Sequence, residues 1–147
     1  MKEIDKSKPV LVTGATGYVA SWLVKRLLDE GLTVHAAVRN PDKKEKIAHL
    51  NALAENSSGT IKYFKTDLLE PCSYDEAMKD CELVFHTASP FTTNVEDPQK
   101  NLIDPAVKGT ENVLETTGNT PSVKRVVVTS SCAAIYTDAI DTVNAPN

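Results

Sequence analysis

Apolar and polar positions alternate between two rhythms along this chain. "PVLVT" (9–13) is short, β-branched and apolar on both faces, which predicts a central parallel strand. Over 18–30 the period becomes helical. Val19, Ala20, Leu23, Val24, Leu27 and Leu28 share one face, with Ser21, Lys25 and Asp29 opposite. Gly31 stands where a left-handed residue would end that helix. Trp22 falls on the polar side, and periodicity gives no account of it.

The rhythm then repeats. "TVHAAV" (33–38) predicts a second buried strand, and Asn40-Pro41 predicts an N-cap and first-turn proline for a helix that turns Ile47, Leu50 and Leu53 inward. "TIKYFKT" (60–66) alternates weakly, as an edge strand does. Ser73 and Glu76 have the spacing of a capping box. "LVFHTA" (83–88) is a fourth strand, a helix follows across roughly 99–117, and "RVVVTS" (125–130) is a fifth strand. Strands separated by helices predict an α/β architecture, a doubly wound parallel sheet flanked by helices and incomplete at its C-terminal side. Such sheets bind ligands beyond the carboxyl ends of their strands, so those residues carry the candidate chemistry.

Composition narrows the field. A chain of 147 residues fits one domain, and its formal charge of -4 argues against a broad basic face for nucleic acid. No apolar run is long enough to span a bilayer, and "MKEIDKSKP" lacks a signal-peptide core, so a cytoplasmic location is expected. Cys72, Cys81 and Cys132 are far apart and form no C-x-x-C pair, which favours idle thiols over a metal site or disulfides.

After the first strand comes Gly14-x-x-Gly17-x-x-Ala20. Gly14 permits a tight turn, Gly17 lets backbone approach a pyrophosphate, and Ala20 lets the helix pack on the sheet. A plain tight turn has the same glycines. No lysine follows as a triphosphate-binding loop requires. After the second strand comes Arg39, where an NAD site places Asp or Glu on the ribose 2′-hydroxyl. Arginine suits a 2′-phosphate instead. Lys43, Lys44 and Lys46 follow, as they would on any solvated face.

Asp67 and Leu68 end the third strand, where a carboxylate can accept from an adenine amino group, or simply open a turn. "HTASP" (86–90) ends the fourth with small residues that let a nicotinamide ribose lie close. His86 sits inside an apolar strand and is expected to be buried and hydrogen-bonded rather than catalytic. "TSSCAAIY" (129–136) ends the fifth, and a hydroxyl there can donate to a carbonyl oxygen gaining negative charge. A serine hydrolase is disfavoured, since G-x-S-x-G is absent and no histidine follows Ser131.

Together "VTGATGYVASWLVKRLLDEG", "AVRNP", "TDLLE", "LVFHTASPF", "DPAVKGTENVL" and "RVVVTSS" resemble the extended short-chain dehydrogenase/reductases. Within them the chain looks like the branch of dihydroflavonol, cinnamoyl-CoA and aldehyde/ketone reductases. The resemblance implies a Rossmann-type NADP-binding domain over 1–147 and an NADPH-dependent reductase of a small carbonyl substrate. It implies that Gly14, Thr16, Gly17, Tyr18 and Val19 hold the pyrophosphate side, Arg39 and Lys46 the 2′-phosphate, and Asp67 and Leu68 the adenine. Thr87, Ala88, Ser89 and Ser130 would line the nicotinamide side, Ser131 matches the catalytic serine, and Cys132 to Tyr136 would edge the substrate pocket.

One element of the family pattern is missing. Y-x-x-x-K does not occur: Tyr18, Tyr63, Tyr74 and Tyr136 are followed at that spacing by Trp22, Asp67, Met78 and Ile140. The expectation is therefore an N-terminal part of a reductase, inactive alone, whose fifth strand is an open edge prone to self-association. Two other functions fit the same scaffold: a dinucleotide-binding redox sensor without catalysis, and an NAD-dependent sugar-nucleotide epimerase or steroid-type dehydrogenase.

Overall fold

A computed structural model describes residues 3–90, 96–134, 140 and 143 of the chain. Five strands form one parallel sheet: β1 (Val10–Thr13), β2 (Thr33–Val38), β3 (Thr60–Lys65), β4 (Leu83–His86) and β5 (Arg125–Val128). Their order is β3-β2-β1-β4-β5. The sequence runs outward from β1 through β2 to β3, then crosses back to β4 on the other side of β1. That reversal opens a crevice at the carboxyl ends of β1 and β4, where doubly wound sheets take their ligands.

The pleat of β1 sorts the core into two layers. Val10 and Val12 pack with Ala20, Val24 and Leu28 of α1 (Tyr18–Asp29) and Leu50 of α2 (Lys44–Glu55). Leu11 packs on the opposite face with Ala77 and Met78 of α3 (Asp75–Met78) and Val113 of α4 (Asp104–Asn119). All four β1 residues are buried. That is why the strand shows an unbroken apolar run and not alternation.

Helix α1 ends as expected. Gly31 has φ +78, its amide donates to the Leu28 carbonyl and the Leu32 amide to the Leu27 carbonyl. These two bonds make a Schellman cap. Two other capping expectations are corrected. The Asn40 side chain accepts from the Asp42 amide at 2.9 Å, closing a local turn, and α2 starts later, at Lys44. Ser73 does not cap α3. Its hydroxyl donates to the Asp67 carbonyl at 2.7 Å and accepts the Asp67 amide at 3.2 Å. The helix across 99–117 begins as a wide π turn over Gln99–Ile103 before becoming α4. Among the described residues no helix is long and apolar enough to cross a membrane.

Candidate functional site

The crevice is a cavity of about 560 Å³ at the carboxyl ends of β1 to β4. Its floor is the turn from β1 into α1. Gly14 has φ +64, and a Cβ there would lie 2.9 Å from the Ala88 Cα. Both backbone conformation and space therefore demand glycine. The Gly17 amide donates to the Gly14 carbonyl at 2.9 Å, closing the turn, and Gly17 is the N-cap of α1. No side chain caps this helix and its first turn has no acidic residue. Amides at such an end are ready partners for an anion.

Each strand end contributes a wall. Arg39, exposed at the end of β2, lines the cavity beside Ala37 and Val38. Asp67 and Leu68 line it from the end of β3, and one Asp67 carboxylate oxygen accepts the Leu69 amide at 2.9 Å. Thr87, Ala88 and Ser89 close it from the end of β4. Gly14, Thr16 and Gly17 complete the set of expected residues that meet in this one space.

Other expected residues stand elsewhere. Tyr18 and Val19 are 81 % and 64 % exposed and point off the cavity wall. Tyr18 shares an outer groove with Trp22 and His49, which gives Trp22 a place on the surface between α1 and α2. Lys46 is exposed on α2 and is not part of the wall. Ser130 and Ser131 are exposed beyond β5, outside the wall, with the Ser131 carbonyl accepting the Ala134 amide at 3.0 Å. Tyr136 lies outside the described residues.

The structure adds residues that strand-end reasoning did not find. Tyr74 lines the cavity and is almost fully buried. Burial pushes its phenol up, the Asp67 charge adds to that, and a hydrogen bond with Thr66 opposes it. Asn112 of α4 donates to the carbonyls of Leu68 and Glu70 at 3.0 and 2.9 Å. One turn earlier, a Cβ on Gly109 would sit 3.1 Å from the Leu68 Cβ. Gly109 and Asn112 thus fix the Asp67–Leu68 turn from the neighbouring helix. A glycine inside an otherwise regular helix costs about 1 kcal/mol against alanine, so "KGTEN" held a legible sign of close approach.

Buried polar groups knit the crevice. The Thr13 hydroxyl lies 2.8 Å from His86 Nδ1, and accepts the Thr87 and Ala88 amides at 3.2 and 3.1 Å. The Thr87 hydroxyl donates to the Thr13 carbonyl. His86 is buried, and burial pulls its imidazole below the ordinary value. It is buried and hydrogen-bonded, as its apolar strand context predicts.

The NAD dependent epimerase/dehydratase family matches residues 10–145. The chain is 52 % identical over 135 residues to a cinnamoyl-CoA reductase of Medicago truncatula, covering 92 % of this chain and 41 % of that protein. It is 39 % identical over 130 residues to a dihydroflavonol 4-reductase of Solanum lycopersicum, covering 88 % and 34 %. The structure superposes on Gre2 of Candida albicans, solved in complex with NADPH, with a TM-score of 0.73 at 36 % identity, covering 86 % of this chain and 38 % of that one. The chain thus spans about two fifths of the length of the curated relative from Medicago truncatula. A match that runs from the first strand past Ser131, on a sheet of matching topology, places the chain in the NAD dependent epimerase/dehydratase family, among the extended short-chain dehydrogenase/reductases.

Proposed function

We propose that residues 1–147 form the NADP-binding part of a reductase acting on a small aldehyde or ketone. The observation that carries this is the meeting of Arg39 with Gly14, Gly17, Asp67 and Leu68 around one cavity. A dinucleotide fits the chemistry of those walls. The uncapped start of α1 takes the pyrophosphate, and Arg39 takes a 2′-phosphate that a carboxylate at this position would repel. Asp67 accepts from the adenine amino group while Leu68 covers the ring. Thr87, Ala88 and Ser89, on the far side of Gly14, border the nicotinamide half. The Candida albicans Gre2 complex with NADPH supports the choice of cofactor.

The reduced nicotinamide supplies a hydride to the substrate carbonyl. The chain's own contribution is to bind, orient and polarise. In this reading Ser131 donates a hydrogen bond to the carbonyl oxygen, and Ser130 borders the nicotinamide. The Thr129 amide donates to the His86 carbonyl at 2.9 Å, so the β4–β5 ladder continues to within two residues of Ser131. Tyr18 and Val19 belong to the reading through their backbone amides in the first turn of α1, and Lys46 as a further cation on α2. With no Y-x-x-x-K in the chain, proton delivery has no carrier and residues 1–147 alone turn over no carbonyl compound.

Calorimetry tests this. NADPH is expected to bind at least about tenfold more tightly than NADH, and Arg39→Ala to erase most of that preference, as loss of a charge-assisted pair does. Equal affinity for both nucleotides, or tighter NADH binding, would overturn it. In the same samples, NADPH oxidation with an aldehyde is expected to stay at the level of a Ser131→Ala control.

A further inference from the structure

Thr13, His86 and Thr110 form a chain of buried or half-buried polar groups across the sheet, from β1 through β4 to α4. A hydroxyl has one proton to give and two lone pairs to receive. At Thr13 the two lone pairs are taken, because the Thr87 and Ala88 amides can only donate. The hydroxyl proton must therefore go to the third neighbour, His86 Nδ1 at 2.8 Å. That nitrogen has to be bare.

The other end gives the same answer independently. The Thr110 hydroxyl donates to the Ala106 carbonyl at 2.8 Å, which spends its proton. Facing His86 Nε2 at 3.4 Å, it can only accept. Both ends require a neutral imidazole with its proton on Nε2.

We infer that His86 is a positioning residue for the crevice: as the Nε2–H tautomer it accepts the Thr13 hydroxyl hydrogen bond at Nδ1, and so turns both Thr13 lone pairs onto the amides of Thr87 and Ala88. The consequence reaches the cavity wall directly. Ala88 is the residue that a Cβ on Gly14 would strike. The Thr13 hydroxyl thus adds to the β1–β4 pairing that holds the glycine turn against the β4 end, and one imidazole nitrogen sets that hydroxyl's direction. The same histidine gives its backbone carbonyl to Thr129. His86 therefore joins the glycine turn, the Thr87–Ser89 wall and the start of the Ser131 segment without touching a reacting atom. The geometric part stands on hydrogen bonds alone. Its effect on ligand affinity rests on the dinucleotide reading above.

Two measurements on the full chain separate these. Long-range proton–nitrogen correlation NMR reads which imidazole nitrogen carries the proton. The expected spectrum has His86 protonated at Nε2 and hydrogen-bonded but unprotonated at Nδ1. Thr13→Val, nearly isosteric, should shift Nδ1 toward the value of a free unprotonated nitrogen and move the Thr87 and Ala88 amides. A proton on Nδ1 in the wild-type chain would overturn the inference, whatever the chain binds.

The second measurement is NADPH affinity. His86→Asn can place an oxygen where Nδ1 stands, whereas His86→Gln reaches the Nε2 side and leaves Thr13 without its acceptor. The asparagine variant should bind within about threefold of wild type and the glutamine variant about tenfold more weakly, the scale of one lost buried hydrogen bond. Equal losses in both would sink the positioning role. A wild-type chain that shows the expected tautomer but binds no NADPH would count against the dinucleotide reading and leave the hydrogen-bond assignment standing.

Discussion

β1 and β5 read almost alike as sequence, "PVLVT" against "RVVVTS", and end in opposite circumstances. β1 is flanked by β2 and β4, covered on both faces and buried at every residue. Among the described residues β5 pairs only with β4, and Val127 and Val128 are 40 % and 45 % exposed. The other edge, β3, carries Lys62 and Lys65 outward, a common way to discourage pairing with another chain. β5 has no such guard along Val126 to Val128. On α4, Val107 and Leu114 are also half exposed. A β-branched run thus specifies a strand, and what lies over the strand is specified by other parts of the protein.

The sharpest way to break the comparison is at the crossing of β1 and β4. Gly14→Val forces a β-branched residue to φ +64 and drives its Cβ to 2.9 Å from the Ala88 Cα. Strain and overpacking together should cost about 3 kcal/mol or more. Val12→Ala, fully buried, should cost about 2 kcal/mol through lost burial and a residual cavity. Val127→Ala on β5 should change stability by no more than about 0.5 kcal/mol. Urea titration of the three variants gives the ranking. A Val127→Ala cost as large as that of Val12→Ala would mean that β5 is covered in solution.

The same contrast shows which parts of the molecule were legible in the sequence. The strands and their parallel arrangement follow from β-branched runs spaced by helical periods, because burial itself selects those residues. Arg39 was legible because its position after β2 is fixed by fold geometry. The starts of α2 and α3 were not. Asn40 and Ser73 have the chemistry of caps, yet each spends its side chain on a bond within its own turn that only the folded chain reveals. Asn112 was missed for a related reason: it acts on Leu68 and Glu70, 44 and 42 residues away, and no local pattern records that distance. The resemblance also assigned Tyr18 and Val19 to the pyrophosphate; their side chains are exposed, and they are the first two residues of α1, behind the Gly17 N-cap.

Self-association offers the next, smaller effect. Among the described residues no strand pairs with the outer side of β5, and an edge of that kind can recruit a second copy. The chain is expected to show concentration-dependent mass growth by light scattering in the micromolar range. Replacing Val127 and Val128 together by lysine copies the guard that β3 carries and should return a monomer without altering the cavity walls. A wild-type chain that stays monomeric throughout would show that exposure of this edge is not enough to recruit a partner.

Acid should separate the two regions most gently, by where each begins to weaken. On the inner strands, His35 of β2 and His86 of β4 are buried, and both are pulled below the ordinary value of 6.5. Burial is the cause for His86. For His35 burial leads, the Ala77 carbonyl and Asp80 oppose it, and Lys62 adds to it. The unfolded chain then binds protons that the fold refuses, so stability falls as pH drops below 6.5 and levels off below the depressed folded values. At the root of β5 the controlling group is a carboxylate. Glu82 meets the Lys124 ammonium at 2.7 Å and accepts the Asp5 amide at 2.9 Å, and these bonds hold it below its ordinary 4.5. Its contribution is complete above 4.5 and is lost as pH falls through the lowered folded value. Thermal midpoints measured by circular dichroism should therefore decline in two stages. Glu82→Gln should flatten the decline below 4.5 and leave the one that begins below 6.5 intact. A variant that flattened both would show that β5 and the crossing unfold as one electrostatic unit, and the contrast between the two strands would end at packing.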